Sequence, residues 1–421
     1  MFASLSSTRS TDRKCRMTFT AVLTFLIWIL FPCSCSSDDY GDHMVTEPTS
    51  DSVDTDNSPG FLNVDEGLVE RNDMATIFNE DLFDPLANDS LIIVVQVHTR
   101  VTYLSYLIGS LPKAFAIERV LLIFSHDYYD EDINDLVKSI KFCKVMQIFY
   151  PYPVHSHPKC LQEAGESPQK CDNAEFRGHN NHKKRFQMKH HWWWKANYVF
   201  DQLKVTKFFT GFLLFLEDDN YVAQDFVYML TLMYKSIASL CPPCNVLALG
   251  RHIVIRDYYE YNSTRSPEVE VMPWSSSATN MGFAFNRTTW NSIRRCAEYF
   301  CYKNDYNYDI SLDSLSQKCP LGQLLVMMVK EPRVFHLGRC GVHEKSKKCK
   351  SNETFVELKA ALGVAVRSRH MFPRKLRLTG VKLNENELIH QGDDAWNQKS
   401  DTKLCMNMTS PIKSISVKKL K

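Results

Sequence analysis

The hydrophobic pattern of the chain becomes regular at residue 91. "LIIVVQV" (91–97) is an unbroken, β-branched run of strand length, which predicts a strand buried on both faces. Residues 102–116 switch to helical spacing, "RVLLIFSHD" (119–127) reads as a second strand, 130–141 as a helix, and "KVMQIFYPY" (144–152) as a third strand. This strand–helix–strand–helix–strand series predicts an α/β fold with a mainly parallel, Rossmann-like sheet flanked by helices. No glycine lies between Gly67 and Gly109, so no glycine-rich phosphate loop follows the first strand. A nucleotide bound there would be held by side chains and ordinary backbone.

Further on, "QMKHHWWWKANYVFDQL" (187–203) has helical character. Adjacent residues on a helix point about 100° apart, so Trp192, Trp193 and Trp194 share no face and predict a helix buried on several sides. A strand over 212–216 then ends abruptly on Glu217, Asp218 and Asp219. Ligand sites of α/β sheets lie at the carboxyl ends of strands. Three carboxylates there suit a hard divalent cation such as Mn²⁺ or Mg²⁺; the competing reading is a solvated loop that begins with acids. If the chain stays extended, Glu217 and Asp219 project to one side and Asp218 to the other.

Fifty basic residues against 48 acidic ones give a net charge of +2, which offers no bulk attraction for nucleic acid. Residues 17–35 carry no charged side chain, and at about 1.5 Å per residue they span roughly 28 Å, close to a bilayer core. Arg9, Arg13, Lys14 and Arg16 precede the run and Asp38, Asp39 and Asp42 follow it. The expectation is a cytoplasmic tail (1–16), an uncleaved type II signal anchor (17–35) and a luminal remainder. A cleaved signal peptide ending near Cys33–Ser36 is the alternative. Residues 36–75 are acidic, Ser/Thr-rich and poor in aliphatics, and are read as a flexible stem; 76–410 as the folded domain; 411–421 as a basic tail. Fourteen cysteines and sequons at Asn88, Asn262, Asn286, Asn352 and Asn407 fit the secretory pathway. Eleven cysteines follow the anchor region, an odd number, and Cys143 within an apolar run is the expected buried free thiol.

A resemblance sharpens this reading. "QVHTR" (96–100), "VLLIFSHD" (120–127), "KHHWWWK" (189–195), "FLEDDNY" (215–221), "NMGFAF" (280–285), "DYNYD" (305–309), "RVFHLGRCG" (333–341) and "MFP" (371–373) resemble, in order, segments of the Golgi N-acetylglucosaminyltransferase II family. The likeness covers about 85–405. It implies a GT-A fold and inverting transfer of GlcNAc from UDP-GlcNAc to the 2-hydroxyl of the α1,6-arm mannose of N-glycans. It further implies Mn²⁺ held by Asp219 and His336, and Asp309 as the catalytic base. Donor binding falls on Gln96, Val97, His98, Thr99, Arg100, Asp127, Gln187, Met188, Lys189, His190, His191 and Arg256. The implied partners are a glycoprotein N-glycan and the Golgi membrane, with the catalytic domain in the lumen; a homodimer is left open.

Without the resemblance, a lone His336 reads as structural and Asp309 as a helix N-cap or surface acid. The resemblance also implies disulfides Cys160–Cys171, Cys241–Cys244, Cys296–Cys319, Cys301–Cys405 and Cys340–Cys349, where "CPPC" alone admits a redox or zinc reading. The chain departs from the family pattern at Thr99 (typically Asn), Thr279 (His), Tyr308 (Trp) and Ile310 (Trp), which bears on donor and acceptor contacts. The readings beside the leading one are a related transferase with another mannose acceptor and an inactive glycan-binding relative.

Overall fold

The computed structural model describes residues 64–87, 90–127, 129–152, 188–251, 267–338, 351–367, 371–383 and 399–409. The expected anchor, residues 36–63, Cys160, Cys171, Gln187, Arg256, Cys340, Cys349 and the basic tail lie outside them. No helix among the described residues is long and apolar enough to cross a membrane.

The predicted series is present, as β1 (Ile92–Val97), α2 (Val101–Ser110), β2 (Leu121–His126), α3 (Glu131–Lys138) and β3 (Lys144–Phe149), preceded by α1 (Glu66–Asp73). Helix 188–197, here α4, runs into a wider-wound turn at Tyr198–Gln202 and is followed by β4 (Leu213–Glu217), β5 (Asn220–Val222) and α5 (Phe226–Leu240). Then come β6 (Val246–Ala248), β7 (Glu268–Pro273), β8 (Phe283–Phe285), α6 (Arg287–Arg295), α7 (Ala297–Cys301) and α8 (Tyr308–Lys318). β9 (Leu325–Val329), β10 (Val334–His336), α9 (Ser351–Arg367), β11 (Arg377–Val381) and α10 (Lys399–Thr409) complete the described elements.

Nine strands form one sheet in the order β11-β7-β9-β6-β8-β4-β1-β2-β3. The block β4-β1-β2-β3 is parallel, and β6 pairs parallel with β9; β8 runs antiparallel between β4 and β6, and β7 antiparallel to β9. After β3 the chain returns to place β4 on the other side of β1. The strand order therefore reverses between β1 and β4, and a crevice opens at their carboxyl ends. Strand alternation splits the core between the two faces. Ile92 and Val94 pack with the tryptophans of α4, while Ile93, Val95 and Val97 pack with Leu104, Ile133 and Phe226 from α2, α3 and α5. Trp192, Trp193 and Trp194 are all buried, as their spacing around the helix requires.

The segment read as stem differs at its end. Residues 66–73 are helical, capped by the Asp65 side chain on Leu68 N–H. The Asn72 amide donates to the Phe149 carbonyl (2.6 Å) and accepts from the Phe149 N–H (2.7 Å), and Phe78 bridges Val145. These contacts cover the backbone of edge strand β3, which would otherwise be an open pairing template. Composition missed this because a short polar helix that seals an edge needs few aliphatics.

Cys241–Cys244, Cys296–Cys319 and Cys301–Cys405 are bonded, and Cys143 is free and buried. Cys301–Cys405 ties α10 to α7, just ahead of the loop that leads into α8.

Candidate active site

The crevice between β1 and β4 gathers most of the expected polar residues. Gln96 stands opposite Glu217 in register, and Asp218 N–H donates to the Gln96 carbonyl (3.0 Å). Beyond Glu217 the chain does not stay extended, so the expected alternation of the three acids fails. Asn220 Oδ1 accepts from Glu217 N–H (3.1 Å) and closes a tight turn over 217–220. β5 then pairs antiparallel with β10, setting Asn220 opposite His336. The turn throws Asp218 and Asp219 to the same guanidinium: Arg100 donates from Nη2 to Asp218 Oδ1 (2.5 Å) and from Nη1 to Asp219 Oδ2 (2.6 Å). A fork of two charge-assisted bonds suits Arg rather than Lys. Asp218 Oδ2 also accepts from His98 N–H (2.9 Å).

Asp219 and His336 face each other, Oδ2 to Nε2, at 2.9 Å. Asp219 is 1% exposed, while His336 is 34% exposed and opens the pair to the crevice. Burial alone would raise the Asp219 carboxyl, but His336 and Arg100 outweigh it and hold it low, at about 2. Burial would likewise lower the imidazole of His336, and Asp219 reverses this and raises it. Gly338 lines the same spot: a Cβ there would lie 2.7 Å from His336 Nε2 and collide with Asp219 Oδ2. Carboxylate oxygen and imidazole nitrogen, with backbone drawn back to leave room, fit a divalent ion such as Mn²⁺. Among the described residues no group of three or more His, Cys, Asp or Glu side chains is placed to hold a metal.

Asp309 sits in the first turn of α8 and is half-buried. Its Oδ2 accepts from Asn280 Nδ2 (2.8 Å) and its Oδ1 from Ile310 N–H (2.9 Å), while its carbonyl accepts from Trp274 Nε1 (3.1 Å). Burial pushes the carboxyl up to about 7, against the two hydrogen bonds that favour its charge, and Glu217 and Asp313 add to the rise. Asn307, not Asp309, occupies the N-cap position.

Of the expected donor-binding residues, His98, Thr99, Arg100 and Asp127 lie at the crevice. His98 Nδ1 bonds Asp127 Oδ2, and Thr99 is exposed. Gln96 is buried and accepts from Lys195 Nζ (2.8 Å), itself buried beneath the crevice with its ammonium brought down to about 7 by desolvation. Others point elsewhere. Val97 is a core side chain, and Met188 is half-buried at the start of the described part of α4. Lys189 is 0% exposed and donates to the carbonyls of Lys303 (2.8 Å) and Asp305 (3.1 Å). His190 Nε2 donates to the Asp401 carbonyl (2.9 Å), and His191 Nε2 bonds Ser125 Oγ (2.8 Å). These four contacts engage the side chains of Lys189, His190 and His191 in packing, because the helix that carries them is buried on several sides. Lys189→Met is accordingly expected to cost about 1–3 kcal/mol of stability by orphaning two carbonyls. Nucleotide affinity of the folded protein should be unchanged, as calorimetry beside thermal melts would read.

Reasoning from sequence assigned no role to Asn280, Gly338, Asn220 or Lys195. Asn280 opens "NMGFAF" and Gly338 follows His336 by two residues in "RVFHLGRCG", so both stood inside segments of interest without a chemical type to mark them. Thr279, one of the departures, is buried and closes a turn on Ser275, donating to its carbonyl and accepting from its N–H (2.9 Å each).

A sheet whose crevice combines a buried carboxylate facing a half-exposed imidazole, a guanidinium and a carboxylate raised to near-neutral titration suits group transfer from a phosphate donor, and comparison with known proteins places the chain among the glycosyltransferases. It is 34% identical over 345 residues to the alpha-1,6-mannosyl-glycoprotein 2-beta-N-acetylglucosaminyltransferase of Sus scrofa, covering 78% of this chain and 76% of that one. It is 37% identical over 333 residues to that of Rattus norvegicus (75% and 73%), and 35% over 321 residues to that of Homo sapiens (72% and 70%). The chain belongs to the N-acetylglucosaminyltransferase II family, whose sequence model matches residues 66–405. The solved structure of S. aureus TarS 1-349 overlaps at a TM-score of 0.32 and 13% identity, over 66% of this chain and 73% of that one, a likeness too slight to carry an argument.

Proposed function

We propose that this protein transfers GlcNAc from UDP-GlcNAc to the 2-hydroxyl of the α1,6-arm mannose of N-glycans, with inversion, through a GT-A-type site at the β1/β4 crevice. The observation that carries the reading is the family match across 66–405, a range that includes Asp219, His336 and Asp309. Asp309 takes the proton of the acceptor hydroxyl as its oxygen attacks the anomeric carbon and UDP leaves. Asn280 aims the carboxylate and Trp274 anchors the backbone that bears it. Arg100 adds a fixed positive charge at the crevice, and the His98–Asp127 pair supplies polar groups for base or ribose. Asp219 and His336 would hold Mn²⁺, which when bound supplies Lewis-acid stabilisation of the leaving diphosphate. A Golgi signal anchor at 17–35 would present this domain to luminal glycoproteins.

The test is regiochemical. Supplied with UDP-GlcNAc and an N-glycan already carrying GlcNAc on its 3-arm, the protein is expected to yield a β1,2 linkage on the 6-arm mannose, located by NMR. Product on another mannose would move the assignment to a different acceptor, and no product with UDP still bound would remove it. The pH profile adds a check on the base. A carboxyl raised to about 7 is protonated, and idle as a base, below that pH. kcat/KM should therefore rise with pH through a limb near 7, falling about tenfold per unit on its acid side. Asn280→Ala, which removes a bond to the charged form, should shift the limb to higher pH.

A further inference from the structure

Tyr308 immediately precedes Asp309, and its ring is fixed before its hydroxyl is considered. The side chain is 4% exposed and stacks on Trp192 with centroids 5.0 Å apart and planes 3° from parallel. Trp192 is itself buried in α4 between Phe215 of β4 and Phe300 of α7. A ring held this way has little freedom to swing, so its polar tip is aimed by packing. That tip donates to Glu217 Oε1 at 2.5 Å, a short, charge-assisted bond. Glu217 closes β4 and opens the turn that carries Asp219, its N–H fixed by Asn220. The path from Asp309 to Asp219 is thus one peptide step, one hydrogen bond and two peptide steps.

We propose that Tyr308 is a positioning residue: through Glu217 it fixes the turn bearing Asp219 against the helix start bearing Asp309. The inference rests on the transferase reading above and deepens it. It gives a purpose to one of the departures, since a phenol in this place reaches Glu217 with an oxygen at the end of a clamped ring. The acceptor oxygen must lie between Asp309 and the donor's anomeric carbon, and a misplacement of about 1 Å between such groups costs on the order of 10²-fold.

The test is a double-mutant cycle on the full chain, reading kcat, KM for UDP-GlcNAc and thermal stability for wild type, Tyr308→Phe, Glu217→Ala and both together. Tyr308→Phe removes one oxygen and leaves Glu217, half-buried at the crevice, to take a water. It is expected to lower kcat about tenfold or more with KM changed less than about twofold. In the Glu217→Ala background the same change should cost less than about twofold, because the tie is already cut. Equal losses in both backgrounds, or a fall in stability with kcat unchanged, would reduce Tyr308 to a packing residue and overturn the proposal. Absence of transfer by wild type would instead strike the reading beneath it.

Discussion

Asp309→Asn is expected to yield a folded protein that binds UDP like wild type and turns over on the order of 10²- to 10⁴-fold more slowly. The substitution keeps size and removes only the ability to accept a proton. Asp309 is half-buried at the start of α8, with Asn280 and Ile310 N–H on its two oxygens. Its carboxyl is raised to about 7, so at higher pH the folded protein carries an ionised group that burial disfavours. The sign for stability follows. A pKa raised on folding contributes stability at low pH that is lost as pH climbs through about 7. The neutral amide removes that pH dependence, and the melting temperature of the variant should be equal to or above that of wild type at pH 8. A carboxylate that burial disfavours at the pH where the proposed role needs it charged is a familiar trade of stability for activity. Near-normal turnover in Asp309→Asn would take Asp309 out of the mechanism.

Gly338→Ala is expected to remove metal-dependent nucleotide binding as thoroughly as Asp219→Ala. Gly338 lies outside the left-handed region, so alanine meets no backbone penalty there, and the effect is purely one of space. The added Cβ collides with Asp219 Oδ2 and lies 2.7 Å from His336 Nε2, between the two proposed ligands. Neither can retreat freely. The Asp219 carbonyl accepts from Leu337 N–H (2.8 Å), its carboxylate is held by Arg100, and His336 is fixed by the β5–β10 pairing. UDP affinity measured by calorimetry with and without Mn²⁺ should lose its metal-dependent part by about 10- to 100-fold or more, and the overlap should lower the melting temperature as well, at a cost of about 1–3 kcal/mol. Unchanged metal dependence would move the ion away from Asp219 and His336.

The sheet was legible where periodicity alone decides. Three apolar runs and two amphipathic helices give β1 to β3 with α2 and α3 in the right order, with starts within two residues; the helix read to 116 ends at Ser110 and the strand read to 152 ends at Phe149. The three tryptophans announced a helix buried all round. What remained hidden depends on partners far along the chain. Residues 66–73 look like stem until β3 supplies the edge they cover, and no local pattern shows that the side chains of Lys189, His190 and His191 bond the carbonyls of 303, 305 and 401 and the hydroxyl of Ser125. The three acids told of a cation, and the structure supplies one within the chain: Arg100 grips Asp218 and Asp219 in a fork. The turn that sends both acids to one partner is closed by Asn220, a residue with no period or charge to betray it. Asp309, His336 and Asp219 drew their roles from resemblance; the structure adds that Asp309 is held by Asn280 and that Asp219 and His336 touch.

The most direct test is GlcNAc transfer from UDP-GlcNAc to a 3-arm-modified N-glycan by the full chain, run with Mn²⁺ and again after EDTA. The expected result is product in the first, none in the second, and recovery when Mn²⁺ is restored. Equal product with and without metal would contradict the role given to Asp219 and His336, and no product under any condition would contradict the transferase reading itself.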